Sequence, residues 1–211
     1  MNRIESVKRR PATSADSAAT RERILDGALQ LAAITGLRKF SMEEIARQAK
    51  IGRATLYLYF KGRDALISAL VQSELARYFA GIQQVVDQYD DADDRLVHGF
   101  AQAYRLLRHH PALTTVLRVN PEILLPYLIA EDSLALNLAR GFVDSTFNQD
   151  DLPAAARAPF AEYLSRAIHS LILIPGGVLN IDSPSGPEDY ARTFLLPVLR
   201  SMSAEAAVIQ P

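Results

Sequence analysis

No cysteine occurs among the 211 residues, which excludes disulfides, thiolate metal sites and a cysteine nucleophile. The chain has no uninterrupted apolar run long enough to span a bilayer. Residues 1–20 are basic and polar and hold no apolar signal-peptide core, so a cytoplasmic protein with no membrane partner is expected. No alternating strand pattern and no internal repeat competes with the helical periodicities described below. Catalytic groupings are missing as well. The four histidines, His98, His109, His110 and His169, stand in no HExxH, GxSxG or phosphate-loop motif, so no catalytic residue, metal ligand or cofactor is expected. His109 and His110 precede Pro111 at a helix end, where a cation is favourable against the helix dipole; a metal site joining them to a distant carboxylate is the open alternative. His169 lies among Leu164, Ile168, Leu171 and Ile172 and reads as a core or interface histidine.

What is present is a chain 49% hydrophobic, enough for a sizeable core in one or two domains. Its net charge of −1 conceals an asymmetry. The first 60 residues hold 11 Lys and Arg against 6 Asp and Glu, a surplus of five, while the remainder holds 12 against 18, a deficit of six. A basic end on an acidic body suits a polyanion at that end, because phosphate attraction follows the local field.

Residues 41–66, SMEEIARQAKIGRATLYLYFKGRDAL, carry the most information. Ser41 with Glu44 three residues on has capping-box spacing, the acidic pair Glu43 and Glu44 suits the positive helix end, and Ile45, Ala46 and Ala49 form a small apolar face. Lys50, Ile51 and Gly52 break that helix. A second one follows, with Leu56 and Phe60 facing inward and Arg53, Thr55, Tyr57 and Tyr59 facing mostly outward. An exposed guanidinium, hydroxyl and two phenols are suited to base edges and phosphates; Lys61 and Arg63 add cations just beyond. This is the pattern of a helix-turn-helix.

The run Ala49 to Leu66 resembles the DNA-binding domain of the tetracycline-repressor (TetR-like) family, above all in Thr55-Leu56-Tyr57, Phe60 and Asp64-Ala65-Leu66. The likeness extends upstream through Arg23-Ile24-Leu25 and Ala28 to Gly36. Two positions depart from the family pattern. Lys50 stands at the usual turn glycine, which implies a left-handed backbone on a non-glycine residue; Gly52 stands where a Ser or Thr would cap the recognition helix. The resemblance implies an all-α fold, with an N-terminal three-helix DNA-binding head and a C-terminal helical body that binds a ligand and dimerises. On this reading residues 1–19 form a flexible basic arm, in which Lys8, Arg9 and Arg10 can reach DNA, residues 20–66 the head and 67–211 the body. Thr20, Ser41, Lys50, Lys61 and Arg63 are then expected on backbone phosphates of an operator duplex, and Arg53, Thr55, Tyr57 and Tyr59 on bases and nearby phosphates.

In the body, Thr20 aside as the cap of the first helix, the pattern predicts helices over 63–89, from about 96 to 110, and over 111–117, 121–147, 153–174 and 187–202, several of them started by proline. Pro126 is expected to kink or restart its helix. The run Asp90, Asp91, Asp93 and Asp94 reads as a solvated turn with an N-cap. Phe100, Tyr104, Leu107, Leu117, Leu124, Tyr127, Leu128, Phe147 and Tyr163 offer the apolar area and phenols of a pocket between helices, although ordinary core has the same composition; the resemblance favours a pocket for a small hydrophobic effector. Phe160, Leu164, Ile168, Leu171, Phe194, Leu195, Val198 and Leu199 lie on helices apolar around much of their circumference, which need a partner, and the resemblance implies a homodimer formed through them. The expected function is a sequence-specific transcriptional regulator, a repressor released from its operator by the effector. The competing reading is a helical small-molecule-binding protein or enzyme whose head no longer binds DNA.

Overall fold

Side-chain caps at Ser41, Asp91, His110 and Ser133 start four of the helices of this chain. The computed structural model describes residues 14–38, 40–128, 130 and 133–209, the last five as backbone, and every regular element among them is helical. Helix α1 spans Ser14–Thr35, α2 Met42–Gln48, α3 Arg53–Tyr59, α4 Arg63–Val86, α5 Ala92–Arg108, α6 Pro111–Val119, α7 Pro121–Leu128, α8 Leu134–Thr146 and α9 Ala154–Leu173. The last helical stretch is composite: α10 Gly186–Tyr190, a π-helical turn Ala191–Leu195, and α11 Leu196–Ile209. The wide turn precedes Pro197, whose missing amide and bulky ring disfavour ordinary helical pairing with the carbonyl four residues back.

Two expectations on boundaries are corrected. Thr20 does not cap α1, which already begins at Ser14, so residues 14–19 are helix rather than arm and Thr20 is half-buried within it; Lys8, Arg9 and Arg10 lie outside the described residues. The long helix expected over 121–147 is two helices. Ser133 separates them: its hydroxyl donates to the Leu128 carbonyl (3.1 Å) and accepts from the Leu136 amide (3.3 Å), closing α7 and starting α8 with one side chain. Pro126 sits inside α7. The acidic run behaves as expected, with Asp91 capping α5 by accepting from the Asp93 and Asp94 amides.

The buried residues fall into two cores. The head core joins Ile24, Leu25, Ala28 and Ala32 of α1 to Ile45 and Ala46 of α2, Leu56 of α3, Phe60, and Leu66, Ile67 and Leu70 of α4; Ala112 and Val116 of α6 and Leu124 of α7 complete it from the body side. The body core gathers Ile82 and Val86 of α4, Val97, Phe100 and Tyr104 of α5, Val143 of α8, Phe160 and Ile168 of α9, and Leu195 and Leu199 at the chain's end. Helix α4 thus belongs to both. The α1–α6 junction is also polar: Thr115 donates to the Ala33 carbonyl (2.8 Å), and the fully buried Asn120 accepts from the Arg38 amide (3.0 Å). Gly36 at that junction has φ +69°, and a Cβ there would meet Asn120 Oδ1 at 2.7 Å, so both backbone conformation and space demand glycine.

Candidate nucleic-acid interface and effector cavity

In the head, α2 is fixed at both ends by short-range chemistry. Ser41 Oγ accepts from the Glu44 amide (3.2 Å) and donates to the Glu44 carboxylate (3.0 Å); the carboxylate is thus held by the hydroxyl. At the other end the Ile51 amide donates to the Ala46 carbonyl (2.9 Å) and the Lys50 amide to that of Arg47 (3.1 Å). This pair of bonds is a Schellman closure, with Lys50 at the left-handed position, φ +54°. Glycine usually occupies such a position; here a lysine does, exposed on the turn between α2 and α3.

Gly52 is the N-cap of α3 in extended conformation and supplies no side-chain bond. Leu56 is the buried anchor of α3, and Phe60 just beyond it is buried too. Residues 53, 54, 57 and 58 point to solvent, so the open face of α3 is Arg53, Ala54, Tyr57 and Leu58. Leu58 is 84% exposed, an apolar side chain that periodicity assigned to neither core nor interface. Thr55 and Tyr59 are half-buried, and Tyr59 packs against the head core, so it is less outward-facing than expected. Arg53 is held by Glu43 of α2 at 2.5 Å, both side chains more than half exposed. Arg63 donates to the Leu37 carbonyl (2.8 Å), tying α4 to the end of α1, and Lys61 is exposed. Arg21 lies 5.5 Å over the Phe60 ring, a cation–π contact that adds another guanidinium to this end of the head.

The body encloses a cavity with about 1010 Å³ of atom-free space, counted out to its open mouth. Four of the nine expected lining residues, Phe100, Leu107, Leu128 and Phe147, are on its wall. The other five are elsewhere. Leu124 is buried in the head core, with Leu117 and Tyr127 packed against it. Tyr104 donates to Asp182 (2.8 Å) and Tyr163 to the Phe194 carbonyl (2.8 Å). Burial, and secondarily the bond to Asp182, pushes the Tyr104 phenol up to about 12, while Arg108, bonding to the same carboxylate, holds Asp182 below the usual range. That cluster fastens the loop after α9 to α5, as does Arg105 on the Pro184 carbonyl, and Arg105 also holds Glu188 of α10.

Most of the remaining wall comes from helices whose contribution the pattern left unassigned: Leu75, Tyr78, Phe79, Ile82 and Val86 of α4, Phe142, Val143 and Thr146 of α8, and Leu164, Ser165, Ile168, His169 and Ile172 of α9. Leu164 and Ile168 are therefore cavity residues rather than interface. Phe160, Leu195 and Leu199 are also unavailable to a partner, being at most 2% exposed within the single chain. These five residues stand away from any partner surface because an apolar residue at helical spacing signals burial, while the burying neighbours are here the chain's own helices. Leu171 and Val198 are half-buried and Phe194 is exposed, so these three keep accessible surface. Both ring nitrogens of His110 are engaged, Nδ1 accepting from the Leu113 amide (3.1 Å) and Nε2 facing Glu74 (3.0 Å), which makes it the N-cap of α6 rather than a metal ligand.

All-helical among its described residues, with a helix-turn-helix head, an open α3 face and a hollow helical body, the chain has the architecture of the helix-turn-helix class of transcriptional regulators. The family model described as bacterial regulatory proteins, tetR family, matches residues 24–70. Residues 24–70 thus carry a TetR-type DNA-binding domain, and the chain is similar to TetR-like transcriptional regulators. An uncharacterized HTH-type transcriptional regulator of Mycobacterium tuberculosis is 27% identical over 185 residues, covering 88% of each chain. Among solved structures, the TetR family repressor AlkX of Dietzia sp. strain DQ12-45-1b, implicated in biodegradation of n-alkanes, superposes with a TM-score of 0.63 at 19% identity, over 87% of this chain and 96% of that one. FadR of Bacillus subtilis in complex with stearoyl-CoA gives 0.50 at 18% identity, over 84% and 96%. These two likenesses concern the fold.

Proposed function

We propose that the protein is a cytoplasmic, dimeric repressor that leaves its operator when an apolar molecule enters the body cavity. The observation that carries this reading is α4: Leu66, Ile67 and Leu70 of this one helix stand in the head core, while Leu75 to Val86 line the cavity. A ligand that displaces the cavity end of α4 displaces the head with it. Helices α6 and α7 repeat the connection, since Val116 and Leu124 pack in the head core and Leu113 and Leu128 on the cavity wall.

On DNA, α3 enters the major groove. Arg53 and Tyr57 donate to base edges, Thr55 reaches the flank, and Leu58 offers apolar contact to a thymine methyl. Tyr59, Lys50 and Lys61 lie along the phosphates; Thr20, Ser41 and Arg63 contribute by position within the head. Dimerisation supplies the second recognition helix, one helical turn of DNA away at roughly 34 Å or a multiple of it. By linkage, the ligand weakens operator affinity only as far as it prefers the dimer whose heads are wrongly spaced. A repressor is proposed over an enzyme because the head is similar to the tetR family of bacterial regulatory proteins. Binding to duplex DNA from the promoter region of its own gene tests the head. Tyr57→Ala is expected to lower affinity at least tenfold and relax sequence preference; Lys61→Ala is expected to weaken all sequences alike and make the salt dependence shallower by about one charge. Unchanged binding by both variants would sink the assignment, and promoter output with and without the gene decides the sign of regulation.

A further inference from the structure

The cavity wall is apolar except at a few positions, and the polar end near α5 and α8 is unusual. Thr146 is buried, and its hydroxyl has no hydrogen-bond partner among the described residues; the same is true of Arg95 Nε. Both residues line the cavity. They share one end of it, since Thr146 adjoins Phe147, whose ring centroid lies 5.9 Å from the Arg95 guanidinium carbon. A buried donor left unpaired is costly, so two at one end of a hollow point to a guest that satisfies them.

The charge at that end is already balanced. Arg95 Nη2 donates to Asp151 at 2.6 Å, with both side chains at most 16% exposed. Among the described lining residues Arg95 alone is permanently charged, and His169, the other ionisable base there, is favoured in its neutral form by burial. A carboxylate or phosphate brought to Arg95 would add an uncompensated negative charge beside Asp151 in a poorly solvated site, which is costly. A neutral oxygen acceptor meets Nε–H and the Thr146 hydroxyl without that cost. The remaining length is hydrocarbon-like: along α4, Leu75 and Val86 stand eleven residue steps apart, about 16 Å of helix.

Resting on the reading of this cavity as an effector site, we propose that the effector is an uncharged, elongated apolar molecule with a carbonyl-type acceptor at one end, an ester, lactone or ketone, seated on Arg95 Nε and Thr146 Oγ1. A free fatty acid, an acyl thioester bearing phosphates and a bare alkane all match worse, the first two by charge and the third by leaving both donors unpaired.

Three twelve-carbon probes separate these classes: methyl dodecanoate, dodecanoate and dodecane, titrated calorimetrically into the full-length protein and into Thr146→Val. The ester is expected to bind at least tenfold tighter than either of the others, and Thr146→Val, which keeps the shape and removes the hydroxyl, is expected to weaken the ester three- to tenfold while leaving dodecane unchanged. Dodecanoate or dodecane binding as tightly as the ester overturns the proposal, as does ester affinity indifferent to Thr146→Val, or no binding of any probe. Operator binding is measured in parallel by fluorescence anisotropy. Tight ester binding without loss of operator affinity would refute the release mechanism while leaving the ligand class intact; intact operator binding with no probe bound would refute the ligand class alone.

Discussion

Lys50 shows how much one backbone angle can say. A lysine in the left-handed region carries a steric cost of roughly 1–2 kcal/mol relative to an unstrained residue, and glycine gives back part of that gain as unfolded-chain entropy, about 0.5–1 kcal/mol. Lys50→Gly is therefore expected to raise the unfolding free energy by about 0.5–1 kcal/mol in chemical denaturation and, in the same protein, to weaken DNA binding at low salt by removing an exposed cation near α3. A gain in both properties would show that the lysine has no electrostatic role. His169 gives a pH signature of opposite origin. Burial lowers its pKa in the folded state, so the unfolded chain takes up the proton first as pH falls; the contribution of the neutral ring to stability is complete above the unfolded value near 6.5 and is lost as pH drops toward the folded one. Thermal unfolding of the parent is expected to lose more stability between about pH 7 and pH 5 than that of His169→Gln, and equal slopes would refute it. Both positions are legible in sequence for the same reason: turn closure and helix spacing are local, so Lys50 at a glycine position and His169 on an apolar face declare themselves without tertiary information.

Helix α3 is a more mixed case. Its inward pair Leu56 and Phe60 and its missing cap at Gly52 follow from spacing and propensity. The exposure of Leu58 and the half-burial of Tyr59 do not, because a seven-residue helix has too few turns to define a face, and its roll is set by α1 and α4. The Arg53–Glu43 pair between α3 and α2 is similarly a product of docking. An exposed ion pair of this kind is worth about 0–1 kcal/mol, so Glu43→Gln is expected to leave stability nearly unchanged and to strengthen DNA binding by up to about fivefold across sequences, through a freed guanidinium and one fewer anion beside phosphate. Weaker binding by Glu43→Gln would mean instead that Glu43 orients Arg53 for its contact. Ser133 makes the same point for the body: one hydroxyl bonding both ways turns an expected long helix into α7 and α8, and sequence shows the serine but not which carbonyl it will find.

At the scale of the whole molecule, the proposed homodimer needs apolar surface that the single chain leaves accessible. Of the eight residues expected at an interface, Phe160, Leu195 and Leu199 are enclosed by the chain itself and Leu164 and Ile168 face the cavity, while Phe194 remains exposed with Leu171 and Val198 half-exposed. Phe194→Arg is expected to leave the protomer folded, by circular dichroism, and to shift sedimentation toward monomer with loss of operator binding at low concentration. Leu199→Arg places a charge in the body core and is expected to cost several kcal/mol and unfold the protomer. If Phe194→Arg remains fully dimeric, the partner surface lies elsewhere.

The amino-acid sequence by itself determined the helical class, the helix-turn-helix and its family likeness, the left-handed turn at Lys50 and the basic end, because each is set by neighbours within a few residues or by summed charge. Four of the nine residues it offered for a pocket stand on the cavity wall. Tertiary structure alone decided that α4 serves two cores, that α6 and α7 dock on the head, that most of the apolar residues of α9 and the final helix are buried within the chain itself, and that Arg95 Nε and Thr146 Oγ1 have no partner among the described residues at the end of a hollow. The physical reason is that periodicity reports which side of a helix avoids water, whereas the partner on that side, whether another helix, an empty space or a second chain, depends on how elements distant in sequence pack.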